Sequence, residues 1–131
     1  MVHPSDFSPN EAWIFFKLNH VPVSTELEGE FDVFALMDAA SLYILGTEFV
    51  PAGSLCDATS QIRSLLEAAH SRAAAWPEKL MISEASSIGN LVREAESFGV
   101  SVDALSEAEL ARFTNEARQG FKAHFGGGEL H

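Results

Sequence analysis

Residues 79–102 read KLMISEASSIGNLVREAESFGVSV, and this stretch decides the fold class. Residues 79–83 form a short apolar run of strand length, and residues 100–102 form another. Between these runs the apolar residues keep a helical spacing that Gly99 follows as a C′ glycine, and they are Ile88, Leu91, Val92, Ala95 and Phe98. A strand, a helix and a strand in succession are typical of a right-handed crossover, so the stretch predicts an α/β domain.

The same helical period continues on both sides of this unit. Before it, an apolar stripe predicts a helix that Asp57 or Thr59 caps and Pro77 stops, and the stripe is Ile62, Leu65, Leu66, Ala69 and Ala73. After it, Ser106 and Glu109 form an S-x-x-E capping box. This box begins a third helix, whose stripe is Leu110, Phe113, Ala117, Phe121 and Phe125.

The first half of the chain predicts three strands. Residues 12–18 are a nearly continuous run of aromatic and β-branched residues, which is typical of a strand covered on both faces. Residues 20–30 are interpreted as a turn-rich acidic connector. Two more apolar runs follow at 31–37 and 42–50, and the short polar break at 38–41 predicts an antiparallel hairpin between them.

These elements follow the order βββαβαβα in one domain that spans residues 11–125. We expect a mixed five-stranded sheet in which the first, fourth and fifth strands are parallel and helices cover both faces, as in a three-layer αβα sandwich. Residues 1–10 are predicted to be a flexible arm, and the glycine-rich residues 126–131 a disordered tail.

Composition predicts a soluble protein of the cytoplasm. Hydrophobic residues make up 47% of the 131 residues, which favours a packed core over disorder. No segment reaches the roughly 18 consecutive apolar residues of a membrane helix, and residues 1–10 lack the basic and apolar regions of a signal peptide. Cys56 is the only cysteine, so an internal disulfide is excluded, and we interpret it as an inert thiol in a reducing compartment.

The charge of the chain argues against direct binding to nucleic acid. Eight Lys and Arg against 19 Asp and Glu give a formal net charge of -11, which a phosphate backbone would repel. The basic residues are scattered and are not interleaved with aromatic residues. The acidity serves solubility, or it presents carboxylates to a basic partner. We expect a protein partner or self-association, and no membrane contact.

No motif for a bound cofactor is present. The five His residues lack the paired spacings of a zinc site. The glycines are isolated apart from residues 126–128, so no phosphate-binding motif is formed, and Ser41, Ser83 and Ser87 lack a nucleophile-elbow sequence. We therefore expect no cofactor.

Three segments together resemble the RNase H-like catalytic core of integrases and transposases. They are WIFFKLNHVPV at 13–23, FALMDAASLYILG at 34–46 and PEKLMISEASSIGNLVREAESFGVSV at 77–102. The resemblance covers about residues 12 to 104 and implies an RNase H-like fold for this order of elements. It also implies a place for two Mg²⁺ or Mn²⁺ ions, which this family holds with carboxylates from the first strand, the end of the fourth strand and a later helix.

The departures from the family pattern predict that this site is lost. Lys17 stands where the resemblance places the first Asp, and an ammonium group is a donor that cannot bind a cation. Glu84 could replace the Asp at the end of the fourth strand, although Ala85 and Ser86 replace the Asn-Gly that follows it. Acidic residues on the last helix could supply the third carboxylate, namely Glu107, Glu109 and Glu116.

Two aspartates flank the second strand. Asp32 and Asp38 are six positions apart, which is about 20 Å along an extended strand, so they are expected to be turn and edge residues and not ligands of one cation. If the domain were active, the catalytic residues would be Asp38, Glu84 and Glu107. The metal ligands would then be Asp32, Asp38 and Glu84.

Large aromatic residues on the last helix mark a possible interface. Phe113, Phe121 and Phe125 either complete the core or dock another subunit.

Three hypotheses of function follow. We favour a catalytically inactive integrase-core-like domain, not an enzyme, that acts as a protein-interaction or regulatory module. The alternative is a metal-dependent nuclease or polynucleotidyl transferase that uses Glu84 with Asp32 or Asp38. A further alternative, which follows from charge alone, is an acidic mimic of nucleic acid that inhibits a DNA-binding protein.

Overall fold

The structure, a computed structural model, describes residues 4–19, 23–25, 29–52, 58–84 and 89–125. After a short 3-10 turn at Pro4–Asp6, its elements are β1 (Ala12–Lys17), β2 (Val23–Thr25), β3 (Gly29–Asp38), β4 (Ile44–Pro51), α1 (Thr59–Ala73), β5 (Lys79–Ser83), α2 (Gly89–Ser97), β6 (Ser101–Leu105) and α3 (Glu107–Phe125).

The predicted α/β class is confirmed. A mixed sheet contains the five predicted strands, and the three predicted helices are present. The interpretation of residues 20–30 as a connector without a strand was wrong, because Val23–Thr25 pairs antiparallel with the start of β3. Two β-branched residues around one serine make this short segment suitable for a strand. The observed order is therefore ββββαβαβα.

The strand pairings put β1 in the middle of the sheet. On one side it pairs antiparallel with β3, and on the other it pairs parallel with β5, which in turn pairs parallel with β6. β4 occupies the far edge of β3. Because β2 and β4 both pair with Phe31, they lie on opposite sides of β3, and β2 continues the line of β1. The parallel arrangement predicted for the first, fourth and fifth strands is present as β1, β5 and β6.

Helices cover both faces of the sheet. In β1, Trp13 and Phe15 belong to a core shared with α1 and α2, whereas Ile14 and Phe16 belong to a second core shared with Leu110 and Phe113 of α3. Since neighbouring residues of a strand point to opposite faces, this double coverage explains the nearly continuous apolar run of β1.

The helix ends follow the predicted signals in two cases. Ser106 Oγ accepts a hydrogen bond from the backbone N–H of Glu109 at 3.2 Å, which confirms the capping box. Gly99 has a φ of 80°, as a C′ glycine requires.

The cap predicted for α1 differs. Thr59 does not cap this helix, because Ala58 occupies the N-cap position without a side-chain hydrogen bond. The Thr59 hydroxyl instead accepts from Asn90 Nδ2 of α2 at 3.4 Å. Asp57, the other predicted cap, lies outside the described residues.

A charged pair joins α1 to α2. Arg63 donates from Nε and Nη2 to the two carboxylate oxygens of Glu94, at 3.1 and 3.2 Å. The Glu94 side chain is 10% exposed, so this pairing satisfies a carboxylate that the packing buries. The hydrogen bond to Glu94 and the charge of Glu94 raise the pKa of Arg63.

Residues at the start of the chain contact the domain. Phe7 packs against Phe113, with ring centroids 6.1 Å apart, and Lys79 Nζ lies 5.4 Å from the centre of the Phe7 ring. The predicted arm therefore places one aromatic side chain on the α3 side of the sheet. Residues 1–3 and the predicted tail at 126–131 lie outside the described residues. No helix in the described ranges is long and apolar enough to cross a membrane.

Candidate functional site

The carboxyl ends of the parallel strands meet at one edge of the sheet. β1 ends at Lys17, β5 at Ser83 and β6 at Leu105, and α3 begins at Glu107 directly after β6. In open α/β sheets this edge is where ligands and catalytic groups collect. We call the group formed by Lys17, Glu84, Glu107 and Arg118 the carboxyl-end cluster.

Strand register places two members of this cluster at the same end of the sheet. Phe15 of β1 and Ile82 of β5 are the last residues that pair between these strands, and Lys17 and Glu84 each follow two residues later along their own chain segments. Lys17 is half-buried and Glu84 is exposed. The lysine thus occupies the end of the central strand, where a cation site would require an oxygen ligand.

Arg118 connects the last helix to this strand end. Its Nε donates a hydrogen bond to the backbone carbonyl of Lys17 at 2.9 Å, across 101 residues of sequence. Its Nη1 lies 4.0 Å from Glu107 Oε2, and its guanidinium lies 5.7 Å from the centre of the Phe16 ring. With a side chain only 16% exposed, Arg118 holds a positive charge in a defined place beside the central strand.

Sequence reasoning missed Arg118, which was only one of several scattered basic residues. Its partner is a backbone carbonyl, and every residue type has one. No local pattern could therefore have indicated the contact.

Asp32 lies at the same end of the sheet. Its Oδ1 accepts a hydrogen bond from Asn19 Nδ2 at 3.3 Å, and Asn19 Oδ1 accepts from the backbone N–H of Val33 at 2.8 Å. Asn19 therefore ties the chain just after β1 to the middle of β3. Asp32 is half-buried and serves here as a partner of that asparagine.

Asp38 lies at the opposite end. It pairs in register with Trp13 near the start of β1, whereas Lys17 at the end of β1 pairs with Phe34. The Trp13–Asp38 pair and the Lys17–Phe34 pair are four residues apart along β1, which is about 13 Å. Asp38 and Glu84 therefore do not converge.

Three hydrogen bonds satisfy the Asp38 carboxylate. Oδ1 accepts from the backbone N–H of Asn10 at 2.8 Å, and Oδ2 accepts from the backbone N–H and the hydroxyl of Ser41 at 3.0 and 2.7 Å. Asn10 Oδ1 in turn accepts from Trp13 Nε1 at 2.6 Å. Asp38 is 6% exposed and organises the turn between β3 and β4, in keeping with the turn role that the sequence predicts.

The carboxylates of the described residues do not form a ready cation site. No three His, Cys, Asp or Glu side chains within the described ranges are grouped so that they could hold a metal ion.

Of the three aromatic residues proposed as an interface, Phe113 lies in the core, and the side chains of the other two lie outside the described residues. Phe113 is 1% exposed and lies in the core between α3 and the sheet. The backbone of α3 continues through Phe121 and Phe125, whose side chains lie outside the description.

A groove of about 300 Å³ opens between α3 and the β3–β4 hairpin. The buried Phe113 contributes to its lining, and Glu116 is the one charged residue among the described residues that line it. The groove is lined by Met37, Ser41, Leu42, Ile44, Phe113, Glu116 and Ala117. Two large apolar side chains at or beside β4 are exposed, namely Tyr43 at 53% and Phe49 at 51%.

Removal of Arg118 is expected to loosen α3. Arg118→Ala deletes the charged hydrogen bond to the backbone carbonyl of Lys17, a half-buried residue, and we expect the free energy of unfolding to fall by about 1.5–3 kcal/mol. Urea unfolding followed by circular dichroism measures it. Gln119→Ala, at the exposed neighbouring position, is the control and should change stability by less than about 0.5 kcal/mol. Equal stability of the two variants would contradict the anchoring role.

No protein-family model matches the chain, and no curated protein is significantly similar to it in sequence.

Proposed function

We propose that this chain is an RNase H-like domain, similar to the integrase and transposase core, that has lost its catalytic metal site and acts as a protein-interaction module. The observation that carries the proposal is the place of Arg118, which donates to the Lys17 carbonyl and lies beside Glu107.

The cationic side chains of Lys17 and Arg118 at the end of β1 disfavour the binding of two metal ions there. Phosphoryl transfer by this family needs hard oxygen ligands around two divalent ions. Lys17 offers only donors, and the guanidinium of Arg118 is likewise a donor without an acceptor atom. The positive charge of Arg118 would repel a divalent ion near the end of β1. Glu107, a possible ligand, is already paired with Arg118.

The charge of the whole chain favours a protein partner. With a formal net charge of -11, the domain repels a phosphate backbone and attracts basic surfaces. The exposed Tyr43 and Phe49 add a second reason, because aromatic side chains at a surface are typical of interface cores.

One observation favours a metal-dependent nuclease as the second candidate. Asp32, Glu84 and Glu107 all lie toward the carboxyl end of β1, although the three carboxylates are not grouped as a metal site, so this candidate requires the side chains to move together when a metal binds. This version of the enzyme hypothesis uses Asp32 and leaves out Asp38, which lies at the other end of β1.

Calorimetric titration with Mn²⁺ and Mg²⁺ separates the two candidates. We expect no saturable heat with the wild-type chain at millimolar metal concentration, because the carboxyl-end cluster already contains two cations. Saturable binding that Glu84→Ala removes would contradict the proposal and support the nuclease.

A double variant tests the physical reason. Lys17→Asp combined with Arg118→Gln removes both cations and adds an oxygen ligand, so saturable Mn²⁺ binding should appear at millimolar concentration or below. Lys79→Asp with Arg72→Gln makes the same change of charge away from the cluster and is the matched control. Equal gains in the two double variants would show that total charge, and not this cluster, governs binding.

A further inference from the structure

We propose that the free edge of β4 is the docking site of an extended, basic segment of a partner protein, which joins the sheet as an added strand. The inference rests on the proposed function in one respect only, that the domain acts by binding a protein. It concerns a different part of the molecule from the carboxyl-end cluster.

The backbone of β4 is paired on one side only within the described residues. Its residues pair with β3 from Phe31 to Met37, and no other described strand pairs with it. At eight residues, Ile44–Pro51 is among the longer strands of this sheet. An unpaired strand edge of this length presents a row of N–H and C=O groups that an extended peptide can bind.

Aromatic residues border this edge on both faces of the sheet. Phe49 pairs in register with Val33, which faces the α3 core, and its ring meets Phe31 edge-on at 6.5 Å. Tyr43 directly precedes β4, and its hydroxyl accepts a hydrogen bond from Arg72 of α1 at 2.9 Å. Each of the two rings is about half exposed, at 51% and 53%.

This placement favours an added strand over a docked helix. The side chains of an added strand point alternately to the two faces of the sheet, so they can reach both rings. A helix in the groove beside α3 would lie on one face of the sheet only and would not reach Tyr43, which contacts α1 on the other face.

The opposite edge of the sheet differs in its side chains. β6 pairs only with β5 among the described strands, and its exposed positions carry Ser101, Asp103 and Ala104. Asp103 is also paired with Lys79, at 3.5 Å. Large exposed apolar side chains therefore border one edge and not the other, and this difference selects β4 as the docking edge.

The acidic residues near β4 indicate that the partner segment is basic. Glu48 lies within β4, Glu30 lies beside its end, where its carbonyl accepts from Ala52 N, and Glu116 lines the groove. A second copy of the chain would bring another charge of -11 to this edge, so a segment that alternates apolar residues with Lys or Arg fits better.

A phage-displayed library of random nonapeptides, selected on the wild-type chain, tests the proposal. We expect the selected peptides to be enriched in Lys and Arg and to alternate with β-branched or aromatic residues. Labelled synthetic copies should bind Phe49→Lys at least tenfold more weakly in fluorescence anisotropy. Ala104→Lys adds the same charge at the other edge and should change binding less than twofold.

Hydrogen exchange identifies the mode of binding. An added strand should slow the exchange of backbone amides within residues 44–50, whereas binding in the groove alone would leave them unchanged and overturn the proposal. Tyr43→Lys is a second edge variant and replaces Phe49→Lys if the latter does not fold.

Three further results would also overturn the proposal. They are a library without enriched peptides, selected peptides without an excess of basic residues, and a dimer in sedimentation that Phe49→Lys dissociates. Because metal titration probes the carboxyl-end cluster and these experiments probe β4, the failure of one proposal is distinguishable from the failure of the other.

Discussion

Phe113→Ala is expected to lower the free energy of unfolding by about 3–5 kcal/mol, the range for a phenylalanine removed from a core. Phe113 is 1% exposed and fills the space between α3 and the sheet, where it contacts the core that contains Ile14 and Phe16. Phe7 also packs on its ring. The cavity left by alanine should loosen α3 and the first residues of the chain together. Urea unfolding followed by near-ultraviolet circular dichroism measures the loss.

Phe49→Ala is the matched control for this prediction. The same type of residue is 51% exposed there, so its truncation should cost less than about 1 kcal/mol. If Phe113→Ala kept its stability and instead changed the sedimentation coefficient, Phe113 would be an interface residue and the described packing of α3 would be wrong.

Asp38→Ala is expected to lower the free energy of unfolding by about 2–4 kcal/mol. The change removes the acceptor of three hydrogen bonds at a position that is 6% exposed, and it leaves the N–H groups of Asn10 and Ser41 without that partner. Asn10 has a φ of 64°, and it holds the Trp13 indole by a further hydrogen bond. We therefore expect thermal unfolding at a lower temperature and a red shift of tryptophan emission as Trp13 becomes hydrated.

Asp32→Ala provides the comparison at the other end of the strand. Asp32 accepts a single long hydrogen bond, at 3.3 Å, and is half-buried, so we expect a loss of about 1 kcal/mol or less. If Asp38→Ala left stability unchanged but altered Mn²⁺ binding, Asp38 would be a ligand, as in the enzyme hypothesis, and not a turn residue.

The candidate site was only partly predictable from the sequence. Lys17 and Glu84 were singled out because the resemblance to integrase cores places carboxylates near the ends of the first and fourth predicted strands. That both lie at the same end of the sheet follows from the parallel pairing of β1 with β5. Arg118 could not be found in this way, since its contact with the Lys17 carbonyl depends on how α3 crosses the sheet.

The positions of Asp32 and Asp38 were also only partly predictable from the sequence. Their spacing along one strand indicated that they do not share a cation. Which of them lies near Glu84 depends on the antiparallel pairing of β3 with β1, and that pairing puts Asp32 near the end of β1 and Asp38 near its start. The spacing of two residues in the sequence does not show which of them lies nearer the end of a neighbouring strand. The enzyme hypothesis therefore retained both Asp32 and Asp38 as candidate ligands.

The class of the fold, the positions of three helices and five strands, and the capping box of the last helix were all predictable from the amino-acid sequence. These features depend on hydrophobic periodicity and on side chains within one turn, which are local properties of the chain. The tertiary structure alone decided that Phe113 is core, that Arg118 lies at the end of the central strand and that β4 is an edge bordered by exposed aromatic rings. Each of these depends on contacts between residues far apart in sequence, and the direction and order in which strands pair determine such contacts.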